Sequence, residues 1–240
     1  MKNALWLKIT LFFLLTAAAT ALTSYFLGAF PSASGNETKV AVAPPSYTTV
    51  IIDAGHGGED GGATSAAGLV EKDVNLEIAT VLRDLLQANG INVIMTREDD
   101  RLLYDRNVDY KGRKKKLDLA ARLAVANSTP DAVFVSIHMN SFTDPRYSGL
   151  QVWYSPNDPV SLSLADMIQQ ENKEQLQNEN TRKTKAATSA IHLLHNAQCP
   201  AVLVECGFLS NPEEAARFEG SEYRQKVAFV LFSAITEFLN

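Results

Sequence analysis

A chain of 240 residues that is 46% hydrophobic has the material for one well-buried core and little for a second full domain. The formal net charge is −5, and setting aside residues 1–30 removes Lys2 and Lys8 and no acid, so the remainder is more acidic still. That balance argues against a nucleic-acid partner. The two cysteines, Cys199 and Cys206, belong to or border one apolar run; they read as small buried side chains, not as a disulfide scaffold.

The first element is a membrane signal. No residue from Ile9 to Phe30 is charged, and Lys2 and Lys8 precede the stretch. Its length suits a spanning helix of ~20 residues better than a cleavable segment of ~7–15, and the lysines favour a cytoplasmic N-terminus. Residues 1–30 are therefore read as a signal or transmembrane anchor that leaves the rest extracytoplasmic. Small residues at Ala17 to Ala21 and Ser32-Ala33-Ser34 keep a cleaved, secreted form open. Residues 31–46, rich in Pro, Ser, Ala and Gly, read as a flexible linker, and 47–240 as the globular domain.

From Tyr47 onward the pattern alternates. A strand is expected over Thr48–Asp53, a helix from about Glu71 to Asn89 stopped by Gly90, and a strand over Ile91–Thr96. Such an order implies a parallel strand–helix–strand unit, with Val74, Ile78, Val81, Leu82 and Leu85 on the buried stripe. A polar insertion at Glu98–Lys116 leads to a helix ending near Asn127, then strands Ala132–Ile137 and Leu150–Tyr154 and a long polar helix over about Val160–Asn178. Lys185–His195 looks helical, Ala201–Val204 is a buried strand, and Ser221–Phe238 is an amphipathic helix. The sum is an α/β fold, a three-layer αβα sandwich with a largely parallel, mixed sheet, in which ligands bind beyond the carboxyl ends of the strands.

Four acidic or imidazole residues sit where apolar runs end: His56 in VIIDAGHGG, Glu71 in LVEKD, His138 in FVSIHMN and Glu205 in AVLVECGF. Two imidazoles and a carboxylate can hold one zinc ion and leave a position for water, with a further carboxylate as proton carrier. Glu71 alone reads equally as an acidic first-turn residue favoured by the helix dipole. Glu205 follows an apolar run where burial of a carboxylate costs several kcal/mol without a partner. Phosphate cradling is excluded, since the glycine-rich turn at Gly55 to Gly58 does not open a helix in GxGxxG form and no GxxxxGK[ST] exists. The spacing of His192 and His195 could bind metal, but their apolar stretch offers no further ligand, and the basic run Lys111 to Lys116 reads as a solvated helix start.

The segments Asp53-Ala54-Gly55-His56-Gly57-Gly58, Val70-Glu71-Lys72, Ser136 to Asn140 and Leu203 to Asn211 resemble, in order and character, the zinc-dependent N-acetylmuramoyl-L-alanine amidases of the amidase-3 group. The resemblance covers about Thr48 to Asn240. It implies His56, Glu71 and His138 as zinc ligands, Glu205 as catalytic general base and acid, and hydrolysis of the amide joining N-acetylmuramic acid to the L-alanine of the peptidoglycan stem peptide. Asn140 and Asn211 are expected to fix local backbone or touch substrate; Arg182, with Lys183 and Lys185, reads equally as ordinary surface charge and as a group that meets stem-peptide carboxylates. A short chain without wall-binding repeats looks like the germination-type amidases of spore-forming Firmicutes, some of which need an activating lipoprotein partner. The alternatives are a zinc-dependent wall peptidase, a sugar N-deacetylase, or a non-catalytic wall-binding protein of the same fold.

Overall fold

The computed structural model describes residues 46–105, 107 and 110–240. The anchor expected over residues 1–30 and nearly all of the linker expected over 31–46 lie outside the described residues; no helix among those described is long and apolar enough to cross a membrane.

The sheet is built from β1 (Thr49–Ala54), β2 (Asn92–Met95), β3 (Ala132–Asn140), β4 (Gln151–Tyr154), β5 (Lys185–Ala186) and β6 (Ala201–Phe208), in the order β2-β1-β3-β6-β4-β5. The first four in that order run parallel, β4 is antiparallel to β6, and β5 is parallel to β4. A mixed sheet is what the sequence leads one to expect.

Side chains alternate across it, as the two-residue period of a strand demands. Val50, Ile52 and Ala54 of β1, Val133, Val135 and Ile137 of β3 and Val202 and Val204 of β6 meet helices α1 (Glu71–Ala88), α3 (Val160–Gln175) and α6 (Ser221–Leu239) on one face. On the other face Ile51, Phe134 and Leu203 meet α2 (Lys114–Ser128) and the short α4 (His192–Asn196). Both faces of the sheet are thus covered by helices.

Helix α1 buries Val74, Ile78, Leu82 and Leu86, so the stripe continues through Leu86, with Val81 and Leu85 on its flank. It ends in a Schellman motif: Gly90, at φ +78°, donates its N–H to Gln87, while Ile91 donates to Leu86.

Two local expectations are corrected. Lys185–His195 is not one helix: Lys185-Ala186 pairs with Trp153-Tyr154, Ala187 N–H donates to Tyr154, and only His192–Asn196 is helical. Thr188 and Ser189 break the segment, since short polar and β-branched residues offer the backbone competing bonds; Ala190 N–H donates to the Thr188 hydroxyl. An unexpected helix, α5 (Pro212–Glu219), follows β6, and Asn211 caps it by accepting from the N–H groups of Glu213 and Glu214 at 3.0 Å.

Candidate metal centre

The parallel strands β1, β3 and β6 end side by side, and the turn after β1 carries His56. In the β3–β6 ladder His138 stands directly beside Glu205, and beyond it the register shifts between His138 and Asn140. Gln151 of β4 faces Glu205 from the other side. Glu71 is the first residue of α1 and is only 3% exposed, far from the solvated first-turn acid that it resembles in isolation.

Ligand atoms of His56, Glu71 and His138 all lie within 4.8 Å of one another. Glu71 Oε1 is 3.2 Å from His56 Nε2 and 3.0 Å from His138 Nδ1. Two ligands of one tetrahedral zinc ion, each ~2.0–2.1 Å from the metal, stand about 3.3 Å apart, so the donor set and its spacing fit zinc.

The backbone is bent to make this possible. His56 itself has φ +63°, a left-handed conformation that costs a non-glycine residue about 1–2 kcal/mol. Buried guanidinium groups hold it there. Arg97 donates to the carbonyls of Ala54 and Gly55, and Arg122 to those of Ala54 and His56. Arg122 also joins Asp53 at 2.6 Å and Asp118 at 2.7 Å.

Glu71 is fixed through N–H donations from Ala63 to Oε2 at 2.8 Å and from Met139 to Oε1 at 3.0 Å. Asp60 Oδ1 lies 3.0 Å from His56 Nδ1, on the side of the ring away from Glu71, where a carboxylate orients a ligating imidazole. Burial alone would raise the Glu71 carboxyl and lower the His56 imidazole. The imidazole–carboxylate contacts win in both cases, holding Glu71 far below the usual carboxylate range and lifting His56 above its ordinary value.

Glu205 behaves oppositely. Burial and then the nearby Glu71 charge push its carboxyl up to about 7, against the pull of His138 and His56. Its Oε2 is buried with no hydrogen-bond partner among the described residues. A buried carboxylate without a donor, beside three converging donor side chains that could hold a metal, has the environment of a group suited to proton transfer.

A cleft of about 240 Å³ opens over these groups, lined by His56, His138 and Glu205 on the sheet side and by Lys115, Leu119 and His192 on the helix side. The place of His192 there is new: its spacing to His195 drew attention as a metal pair, yet what it supplies is an exposed imidazole on the cleft wall. Asp60, Arg97 and Arg122 were also missed. Asp60 lies in the same glycine-rich turn as His56 and could have been found from that; the arginines carry no local signal.

Gly55 and Gly62 leave room that no other residue could. A Cβ on Gly55 would lie 2.3 Å from the His138 ring, and one on Gly62, at φ +70°, would lie 2.4 Å from Glu71 Oε2. Gly55→Ala is therefore expected to displace His138 and lower zinc affinity at least about tenfold, read by competition with a chromogenic chelator.

The other side chains singled out in the sequence make the following contacts. Asn140 accepts Ser141 N–H through Oδ1, and Asn211, besides capping α5, donates through Nδ2 to Pro145. Arg182 donates through Nε to Ser148 at 2.6 Å and lies 4.6 Å over the Phe208 ring, on the wall of a neighbouring cleft. Both cysteines are free; burial raises both thiols, that of Cys199 to about 11.

Residues 50–237 match the Amidase_3 family, described as N-acetylmuramoyl-L-alanine amidase. The chain belongs to the amidase-3 family. Among amidase-3 relatives, the germination-specific N-acetylmuramoyl-L-alanine amidase of Bacillus subtilis is 35% identical over 237 residues, 99% of this chain and 95% of that protein. The CwlD amidase of Clostridioides difficile, solved in complex with the GerS lipoprotein, superposes with a TM-score of 0.75 at 37% identity, covering 80% of this chain and 98% of that one. The amidase AmiC2 of Nostoc punctiforme gives 0.67 at 29% identity, covering 82% and 99%. The enzyme class expected from the sequence, a cell-wall N-acetylmuramoyl-L-alanine amidase, holds with family membership.

Proposed function

We propose that residues 47–240 form a zinc amidase domain in which His56, Glu71 and His138 hold one metal ion and Glu205 carries the proton. The bond cleaved joins the lactyl group of N-acetylmuramic acid to the L-alanine of the stem peptide. The observation that carries this reading is the buried, partnerless Glu205 Oε2 beside the three ligand atoms.

When bound, zinc supplies Lewis acidity, polarising the scissile carbonyl and acidifying water. The chain's own groups do the rest. Asp60 and the arginine-held turn orient His56, and the Ala63 and Met139 N–H groups fix Glu71. Ionised Glu205 takes a proton from the attacking water and, once protonated, gives it to the departing L-alanine amine. The Asn140, Asn211 and Arg182 side chains all serve the backbone, and Arg182 offers its terminal nitrogens to stem-peptide carboxylates.

The germination-specific relative supports a role in spore cortex maturation or germination. The uncharged stretch Ile9 to Phe30 supports a place outside the cytoplasm, with residues 1–30 as anchor or cleaved signal. The Clostridioides difficile complex supports a lipoprotein partner. Mass spectrometry of purified peptidoglycan treated with the zinc-loaded full chain tests the reaction. Intact stem peptides with a free L-alanine amine are expected; shortened peptides would indicate a peptidase and free glucosamine groups a deacetylase.

A further inference from the structure

Phe142 and Tyr147 are large apolar side chains that the fold leaves 53% and 46% exposed. They are not scattered. Their rings meet edge to face at 4.8 Å, and Tyr147 lies 6.2 Å from Phe208. Arg182 backs the group, its guanidinium 4.6 Å over Phe208 and 5.8 Å from the Tyr147 ring.

The loop that carries both rings is pinned. Phe142 N–H donates to the Ser210 hydroxyl at 3.0 Å, Asn211 Nδ2 to Pro145 at 2.9 Å and Arg182 Nε to Ser148 at 2.6 Å. Rings held in water by hydrogen bonds at three points of their loop form a preset surface, which is how exposed aromatic patches serve recognition.

The position of the patch limits what it can meet. Phe142 follows β3, which carries His138, and its Cα is within a chain reach of about 14 Å from that of His138. Phe208 is the last residue of β6, the strand of Glu205. Tyr147 and Arg182 also line a cleft of about 710 Å³ that includes Gln151, the residue facing Glu205 across the ladder, and Arg182 Nη1 approaches Gln151. The rings thus stand on segments that continue the strands of His138 and Glu205.

We propose that Phe142 and Tyr147 form a stacking platform for a neutral N-acetylated pyranose ring of the glycan strand, one or two sugars from the muramic acid whose amide is cut. This deepens the amidase reading and rests on it. A pyranose presents an apolar C–H face that suits the negative face of an aromatic ring, and its N-acetyl group carries no charge to be stranded there. An ammonium of the stem peptide would meet the Arg182 guanidinium already stationed against these rings, which a neutral sugar does not oppose.

The test compares the full-length enzyme with the double variants Phe142→Ala/Tyr147→Ala and Phe142→Tyr/Tyr147→Phe. Two substrates are used, long glycan strands bearing stem tripeptides and a single disaccharide-tripeptide. Both side chains are exposed, so the alanine variant keeps its fold. Its KM on long strands is expected to rise at least about tenfold more than on the short substrate, and the aromatic-for-aromatic variant to recover most of the loss. Equal change on both substrates, or none on strands, overturns the platform, as does a loss confined to capture of a lipoprotein partner.

If the parent releases stem peptides from neither substrate, the amidase reading fails separately. Co-sedimentation with peptide-free glycan strands then decides the platform: retention of the parent and release of the alanine variant support it, and equal behaviour overturns it.

Discussion

Glu205→Gln is expected to bind one zinc per chain like the parent and to hydrolyse peptidoglycan about 10²–10⁴-fold more slowly, the range that general acid–base catalysis contributes. The substitution is nearly isosteric and keeps the side chain in the His138–Glu205 ladder position, so the metal ligands are undisturbed. What it removes is an oxygen able to take up and release a proton. The lost activity will not be lost fold: Oε2 has no donor in the described structure, and a neutral amide there escapes the cost of burying a charge. The metal-free variant should therefore melt no lower than the metal-free parent. Turnover at the parental rate with zinc bound would take Glu205 out of the mechanism.

The largest expected loss of stability is at Arg122. Its side chain is 2% exposed and that of Asp53 is fully buried, and Arg122 joins Asp53, Asp118 and the backbone of the His56 turn in one network. Arg122→Met leaves buried carboxylates without their cation, which costs about 3–5 kcal/mol. In a folded unit of this size that lowers Tm by on the order of 10 °C.

The pH dependence gives the mechanism away. In the parent, burial would raise the Asp53 carboxyl, but Arg122, Ser136 and Thr96 together hold it below its ordinary value. Its contribution is thus present above the unfolded-state carboxylate range near ~4 and is lost as the pH falls through the lower folded value. Without Arg122 burial dominates, the folded carboxyl titrates above the unfolded one, and the penalty grows as the pH rises through it. The Tm gap between parent and variant should be widest at neutral pH and narrow below about pH 4. A gap constant with pH, followed by thermal melts across that range, would mean that lost packing and not lost charge explains the variant.

These two residues also show what the chain does and does not announce. Glu205, His138 and His56 were legible because each ends or interrupts an apolar run, and a polar group in such a place needs a reason. Glu71 was legible only through its neighbours, since its burial depends on α1 packing beneath β1 and β3. Arg122 carried no such mark: its partners Asp53 and His56 are far away in sequence, and a lone arginine in an amphipathic helix reads as surface.

The same division holds for the fold. Long periodic segments such as α1 and β3 follow from pattern, while the direction of β4 and the two-residue β5 depend on ladder partners that no local period encodes. Helix α5 was missed although Asn211-Pro212-Glu213-Glu214 has a cap residue, a proline at the first helical position and acids in the first turn.

Diffraction data collected at the zinc absorption edge from zinc-soaked crystals of the full chain test most directly whether the turn after β1, α1 and β3 share one metal ion. The expected result is a single strong anomalous peak about 2.0–2.2 Å from a nitrogen of His56, a carboxylate oxygen of Glu71 and a nitrogen of His138. A peak bonded to other residues, or none between these three, would contradict it.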